Sequence, residues 1–215
     1  MDIFGYKWAN YMQRLESNWN EIIGPEDYVV IPGDISWATY LEEALEDFKF
    51  IDALPGNKII SKGNHDYWWT SHSKLRRFVE ENKLSSLHFM HNNSVRVGKI
   101  TICGTRGWIC PGDDGFGTED RKIYNRELQR LELSLKSVQP DTDAIIAALH
   151  YPPFNSKKEP TEFVEIMRKY CVKLCLYGHL HGDSFKNAVM QKVDGIDFKL
   201  VSADYLEFTP IRLEN

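Results

Sequence analysis

Apolar residues recur along this chain in two rhythms. Over residues 4–23, Phe4, Trp8, Tyr11, Leu15, Trp19 and Ile22 fall three or four positions apart, which predicts one amphipathic helix ended by Gly24-Pro25. The unbroken run DYVVIP (27–32) predicts a buried strand that runs into the turn Gly33-Asp34. A helix over 39–53, closed by Pro55-Gly56, leads to the strand NKIIS (57–61), which runs into Gly63-Asn64-His65-Asp66. Another helix is predicted over 68–82.

The rhythm then changes. LHFMHN and SVRVGKITICGT read as strands joined by a short turn, an antiparallel arrangement. A loop rich in Gly and Asp follows, then a charged helix over 120–137, the strand DAIIAALH (143–150) and a helix over 160–170. VKLCLYGH (172–179) is a further strand, with two more predicted over 187–192 and 196–203. Strand–helix–strand units flank a more antiparallel middle and tail, so the pattern predicts an α/β fold of two mixed β-sheets covered by helices. Repeats and linkers rich in Pro, Gly or Ser are missing from the sequence, and residues 1–215 read as a single domain.

Composition narrows the partners. With 42% hydrophobic residues and a formal net charge of −5, the chain can bury a substantial core but offers no basic stripe for a nucleic-acid backbone. The apolar stretch AIIAAL (144–149) is far too short to span a bilayer, and the first residues resemble no secretory signal. The four cysteines, 103, 110, 171 and 175, match no zinc or redox spacing and read as reduced thiols of a cytoplasmic protein.

Candidate chemistry sits at strand ends. Asp34 follows VVIPG, Asn64 and His65 follow IISKG, His150 follows AIIAAL, and His179 and His181 follow LCLYG. Loops beyond the carboxyl ends of strands are where open α/β sheets bind ligands. Thirty residues separate Asp34 from Asn64, and 29 separate His150 from His179, each about one strand–helix–strand unit. Two such units would bring all four clusters to one edge. The mixture of carboxylate, amide and imidazoles suits manganese, iron or zinc, and two such cations could activate water at phosphorus.

Gly33-Asp34, Gly63-Asn64-His65-Asp66, His150 and Gly178-His179-Leu180-His181 resemble, in order, the successive motifs of the calcineurin-like metallophosphoesterases. The resemblance covers residues 33–181 and implies a four-layer αββα sandwich and hydrolysis of phosphomonoesters or phosphodiesters through two divalent metals. It implies that Asp34 bridges the metals, that Asn64, His150 and His179 complete the second site, that His181 belongs to the first, and that His65 is the catalytic histidine paired with Asp66. The family opens with Asp-x-His at the end of its first strand, whereas here Asp2 is followed by Ile3 and Phe4. The expectation is therefore a sandwich lacking its first strand, in a chain begun at an internal methionine, with all its protein ligands at the second metal site alone and with impaired hydrolysis.

Other residues carry weaker signals. Arg106 in GTRGW could clamp the phosphate of an ester substrate. Tyr67, Trp68 and Trp69 could wall a cleft or simply pack, and Asp113 and Asp114 read as a solvated turn. His72, His88 and His91 fit no ligand pattern, and the charges of RKIYNRELQRLELSLK read as the solvated face of a helix. The alternative to a hydrolase is an inactive binding or scaffold protein on the same fold. A nuclease is disfavoured by the acidic balance.

Overall fold

The computed structural model of the chain describes residues 6–213. Phe4 of the first predicted helix, and Asp2, lie outside the described residues. Among the described residues, nine strands form two sheets. The first contains β1 (Tyr28–Ile31), β2 (Asn57–Ile60) and β3 (Leu87–Phe89) in that order, all parallel. The second has the order β4-β5-β6-β7-β9-β8, formed by Val95–Val97, Ile100–Thr105, Ala144–Leu149, Leu174–Tyr177, Ile196–Leu200 and Lys192–Val193 respectively. Strands β5, β6, β7 and β9 are mutually parallel, and the antiparallel hairpins β4-β5 and β8-β9 close its two edges.

Three apolar clusters stack these elements into four layers. Ile59 and Met90 pack on Ile102, Ile146, Ala148 and Leu176, filling the space between the sheets. Outside the first sheet, Ile60 and Phe89 meet Phe48 of α2 (Leu45–Ala53) and Leu75 and Phe78 of α3 (His72–Asn82). Outside the second, Ala147, Leu149, Cys175 and Tyr177 meet Leu131 of α4 (Thr118–Lys136) and Phe163 of α5 (Glu162–Lys169). Adjacent residues of one strand therefore go to opposite cores: Ile59 inward and Ile60 outward, Leu176 inward and Tyr177 outward. Strands covered on both faces need an unbroken apolar run, which is why β2, β6 and β7 show one.

The architecture is the predicted α/β sandwich, with local differences. The first sheet is wholly parallel rather than mixed. LHFMHN does not pair with the strand that follows it: β3 joins β2, and β4 crosses to the other sheet to pair with β5. The helix predicted from residue 68 begins at His72, because Tyr67 and Trp69 are held in tight turns by bonds to His65 O and Asp66 O (2.8 and 3.2 Å) while Trp68 enters the core. The first helix is interrupted at Asn10, whose φ of 52° separates a short turn at Tyr6–Trp8 from α1 (Tyr11–Ile22). The strand expected over 187–192 is a 3-10 turn to Asn187, followed by the two-residue β8. Finally, β1 is an edge strand: Tyr28 is exposed and Val29, Val30 and Ile31 are only half-buried, whereas Ile59 and Ile60 of neighbouring β2 are fully buried. Beyond its outer edge lies a cavity of about 1380 Å³ between α1 and the inner face of the second sheet, lined by Leu15, Val30, Ile102, Ile146, Leu176 and Val201.

Candidate functional site

The carboxyl ends of β1, β2, β6 and β7 meet at one edge of the sandwich, and each delivers a polar side chain. His150 Nε2 lies 2.6 Å from Asn64 Oδ1 and 3.3 Å from Asp34 Oδ2. His179 Nδ1 lies 2.9 Å from Asn64 Oδ1 and 3.2 Å from His150 Nε2. Residues 34, 64, 150 and 179 are thus brought together as their strand-end positions required. The backbone conforms at some expense. Asp34 and His179 adopt left-handed φ of 57° and 67°, conformations that side chains other than glycine rarely take.

Two turns touch at the centre. The Gly33 turn lies against the Gly63 turn so closely that a Cβ on Gly63 would sit 2.0 Å from Asp34 Oδ1. Asp66, fully buried, locks them together: its carboxylate accepts from the amides of Gly63 (2.7 Å), Asp34 (2.8 Å), Ile35 (3.1 Å) and Ser36 (3.4 Å). The His65 amide donates to Asp34 Oδ1 at 2.8 Å. The His65 ring is placed elsewhere, stacked on Trp37 at 5.0 Å between centroids, with Nδ1 3.3 Å from the Tyr67 hydroxyl. The carboxylate of Asp66 therefore spends its oxygens on backbone amides, and the ring of His65 lies among aromatic side chains.

Burial sets the protonation of the cluster. It depresses His150 and His179 to about 4, so both rings are neutral at pH 7. It raises Asp66 to about 6 against the pull of its amide donors, and raises Asp34 too. The Pro32 carbonyl, 2.8 Å from His150 Nδ1, can only accept, so Nδ1 carries the ring proton and Nε2 presents a lone pair. The two ends of the Asn64 amide exchange by rotation about one bond, and its NH₂ can donate to the lone pairs of both imidazoles. In that arrangement each imidazole has a donor from Asn64.

His181 is exposed and points Nδ1 at Asp204 Oδ1, 2.7 Å away, and the other oxygen of Asp204 accepts from Gly182 N. Burial raises the Asp204 carboxyl, but the hydrogen bond and charge of His181 more than offset it and hold it below the usual range. The sequence reading missed Asp204, although it directly follows the strand predicted over 196–203, because Asp197 and Lys199 interrupt that run with charge. Arg106, at the end of β5, lies 4.4 Å over the Trp108 ring and 3.2 Å from Glu127, a buried carboxylate of α4. Glu127 also binds Arg130 at 2.6 Å, so this helix is not a purely solvated charged face. His91 meets the rings of both His72 and Trp69, and Asp113 caps its own turn at Cys110.

The sequence profile of the calcineurin-like phosphoesterases matches residues 6–183. This chain belongs to that family. Among solved structures, one crystal structure superposes with a TM-score of 0.52 at 14% identity, over 80% of each chain. GAP50, the anchor in the inner membrane complex of Plasmodium, superposes with a TM-score of 0.50 at 11% identity, over 93% of this chain and 68% of that one. Both likenesses are of fold. No curated protein sequence matches the chain.

Family membership makes the fit to metal decisive, and here the expectation from sequence is corrected. Two divalent metals, and with them two-metal hydrolysis of phosphate esters, were anticipated. Among the described residues, however, no group of three or more His, Cys, Asp or Glu side chains is disposed to hold a metal ion. The donor set shows why. Asp34 is the single carboxylate facing the cluster, Asp66 is turned into four amides, and Asn64 is engaged by two imidazoles. His181 is committed to Asp204. Among the described residues, no helix is long and apolar enough to cross a membrane.

Proposed function

We propose that this chain is a binding or scaffold member of the calcineurin-like phosphoesterase family and does not hydrolyse phosphate esters through two metals. The observation that carries this reading is that, among the described residues, no group of three or more His, Cys, Asp or Glu side chains is disposed to hold a metal ion, in a cluster where the Asn64 amide can donate to both imidazoles. On this reading Asp34, Asn64, His150 and His179 brace the strand ends. The half-buried His65 and Arg106 and the exposed His181 then offer hydrogen-bond donors at the surface of the site. That GAP50, a protein of similar fold, is described as an anchor gives the reading a precedent of kind.

The test combines metal content with turnover. The purified chain is dialysed against manganese or zinc, its bound metal is measured by mass spectrometry, and hydrolysis of bis-p-nitrophenyl phosphate is followed alongside a His65→Asn variant. The expected result is no stoichiometric metal and the same background rate in both proteins. Manganese-dependent turnover that drops in His65→Asn would overturn the proposal.

A further inference from the structure

The outer edge of β1, the apolar stripe of α1 and the inner face of the second sheet all border the cavity of about 1380 Å³. Each is left incomplete there. The amide of Asn57 donates to Asp27 O (2.7 Å) and that of Ser61 to Ile31 O (3.1 Å), so the odd-numbered residues of β1 turn their backbone groups to β2. Those of Tyr28 and Val30 therefore point the other way, and among the described residues no strand receives them. Helix α1 is pinned by Trp19 Nε1 to Pro55 O (2.9 Å) and by Asn18 to Phe208 O (3.2 Å), yet none of its residues belongs to the three apolar clusters. Its Leu15 and Ile22 stay half-buried on the cavity wall.

The walls dictate what fits. The space exceeds the roughly 300–1,000 Å³ of small-molecule pockets, and protein interiors hold few voids larger than a water molecule. The β1 edge needs N–H and C=O groups in ladder register over four residues, about 13 Å, which an acyl chain does not possess. Leu15 and Ile22 on one side, and Ile102, Ile146 and Leu176 on the other, call for apolar side chains on both faces of the occupant. Charge adds a requirement. Ile196, Phe198 and Leu200 of β9 pack outward, which turns Asp197 and Lys199 inward. Asp197 is matched by Lys192 at 3.5 Å, while Lys199, level with Leu176, forms no ion pair among the described residues. The other aspartates of the wall, Asp27, Asp34, Asp47 and Asp204, lie on no strand, and each accepts a hydrogen bond from the protein. Lys7, Lys173 and Arg212, also on the wall, form no ion pair among the described residues.

We propose that an extended segment of a separate polypeptide, an unbroken apolar run with an acidic side chain facing Lys199, adds to β1 as a fourth strand of the first sheet. Backbone groups of Tyr28 and Val30 supply the pairing, and α1 and the second sheet cover the two faces of the added strand. The strand would end beside the polar cluster, because Pro32, the residue after β1, already gives its carbonyl to His150 Nδ1 at 2.8 Å. The inference goes beyond the binding reading above and is separable from it, since the pairing uses backbone and not the side chains that were tested for metal.

The experiment is fluorescence anisotropy of the full chain with a labelled synthetic peptide, Ser-Glu-Val-Ile-Val-Ile-Val-Ser. Two further peptides carry N-methyl groups on alternate residues, one on the odd set and one on the even. Alternate amides of a strand point to opposite edges, so one methylated peptide should lose about tenfold or more in affinity and the other should bind nearly as the parent does. Val30→Pro removes an outward amide without taking a bond from β2, a change that edge strands tolerate, and should weaken the parent peptide to a similar degree. Lys199→Glu should weaken it about fivefold, with recovery when the glutamate of the peptide is replaced by lysine. Circular dichroism checks that the variants fold, and if Val30→Pro does not, the methylated peptides still decide. Absence of saturable binding, or equal binding of both methylated peptides, would overturn the proposal. So would saturable binding of dodecanoate that the parent peptide fails to displace, which would assign the cavity to an acyl chain. A dimer that sedimentation shows undiminished by saturating peptide would overturn it in favour of a second copy.

Discussion

At the scale of single residues, the site depends on side chains that are not there. A methyl group on Gly63 would meet Asp34 Oδ1 at 2.0 Å and Asp34 N at 2.4 Å, and one on Gly33 would meet Gly63 N at 2.3 Å. Neither contact can be relieved by a flexible side-chain tip, since backbone lies on both sides. Gly63→Ala is expected to cost about 3 kcal/mol or more of unfolding free energy, read by urea denaturation, because the paired turns must separate. Gly115→Ala, at φ +80° in open space, should cost only about 1 kcal/mol from its backbone conformation. Sequence and structure meet unevenly at this scale. Asp34, Asn64, His150 and His179 were legible because each polar residue closes an apolar run. Asp204 was not, since the run before it carries Asp197 and Lys199 and lacks the unbroken apolar character of the others. Glu127 was hidden among the charges of α4, where only tertiary packing reveals which one turns inward.

At the scale of elements, aromatic packing fixes the first helical layer. Phe48 of α2 is fully buried, edge-on to Trp68 at 4.8 Å, with Phe89 at 5.7 Å and Phe78 at 6.0 Å. Phe48→Ala should destabilise by about 3–5 kcal/mol, because the rings around it belong to three separate segments and cannot collapse into the hole together. Tyr40→Ala, on an exposed ring just before that layer, should fall within about 0.5 kcal/mol of the parent in the same thermal or urea experiment. Strands with neighbours on both faces announced themselves in the sequence by unbroken apolar runs. The partner of β3 did not, since a three-residue strand pairs with whichever edge the crossover helix brings near. The tight turns at residues 65–69 likewise reflect the bonds that Asp66 makes to distant amides, which no local periodicity records. The motifs predicted where polar groups converge, but whether those groups complete one another or wait for a metal depends on orientations that only the folded molecule sets.

At the scale of the whole molecule, the buried imidazoles make stability depend on acidity. His150 and His179 titrate near 4 when folded and near 6.5 when unfolded, so between those values the unfolded chain binds protons that the native one refuses. Stability should therefore fall as pH drops through that window. Asp66, raised to about 6 from 3.8, acts in the opposite sense, since its native form takes up a proton first and acidification from 6 to 3.8 restores part of the loss. Asp34, also raised by burial, acts in the same sense as Asp66, while His88 and His91, also depressed by burial, add to the two buried histidines; the four imidazoles outweigh the two carboxyls, and the melting temperature should decline from pH 7 to 4.5. His179→Gln should flatten that decline. A profile equally steep in parent and variant would remove His179 from the cause.

Among the described residues no strand pairs with the outer edge of β1, which has a consequence for how the molecule persists in solution. Its backbone groups face a cavity rather than another strand, and an extended segment of any nearby chain could dock there. Local unfolding is a first-order event governed by temperature, but recruitment of a strand from another copy is second-order. The lifetime of the monomer would then shorten as the amount of protein present rises, and dilution would preserve it.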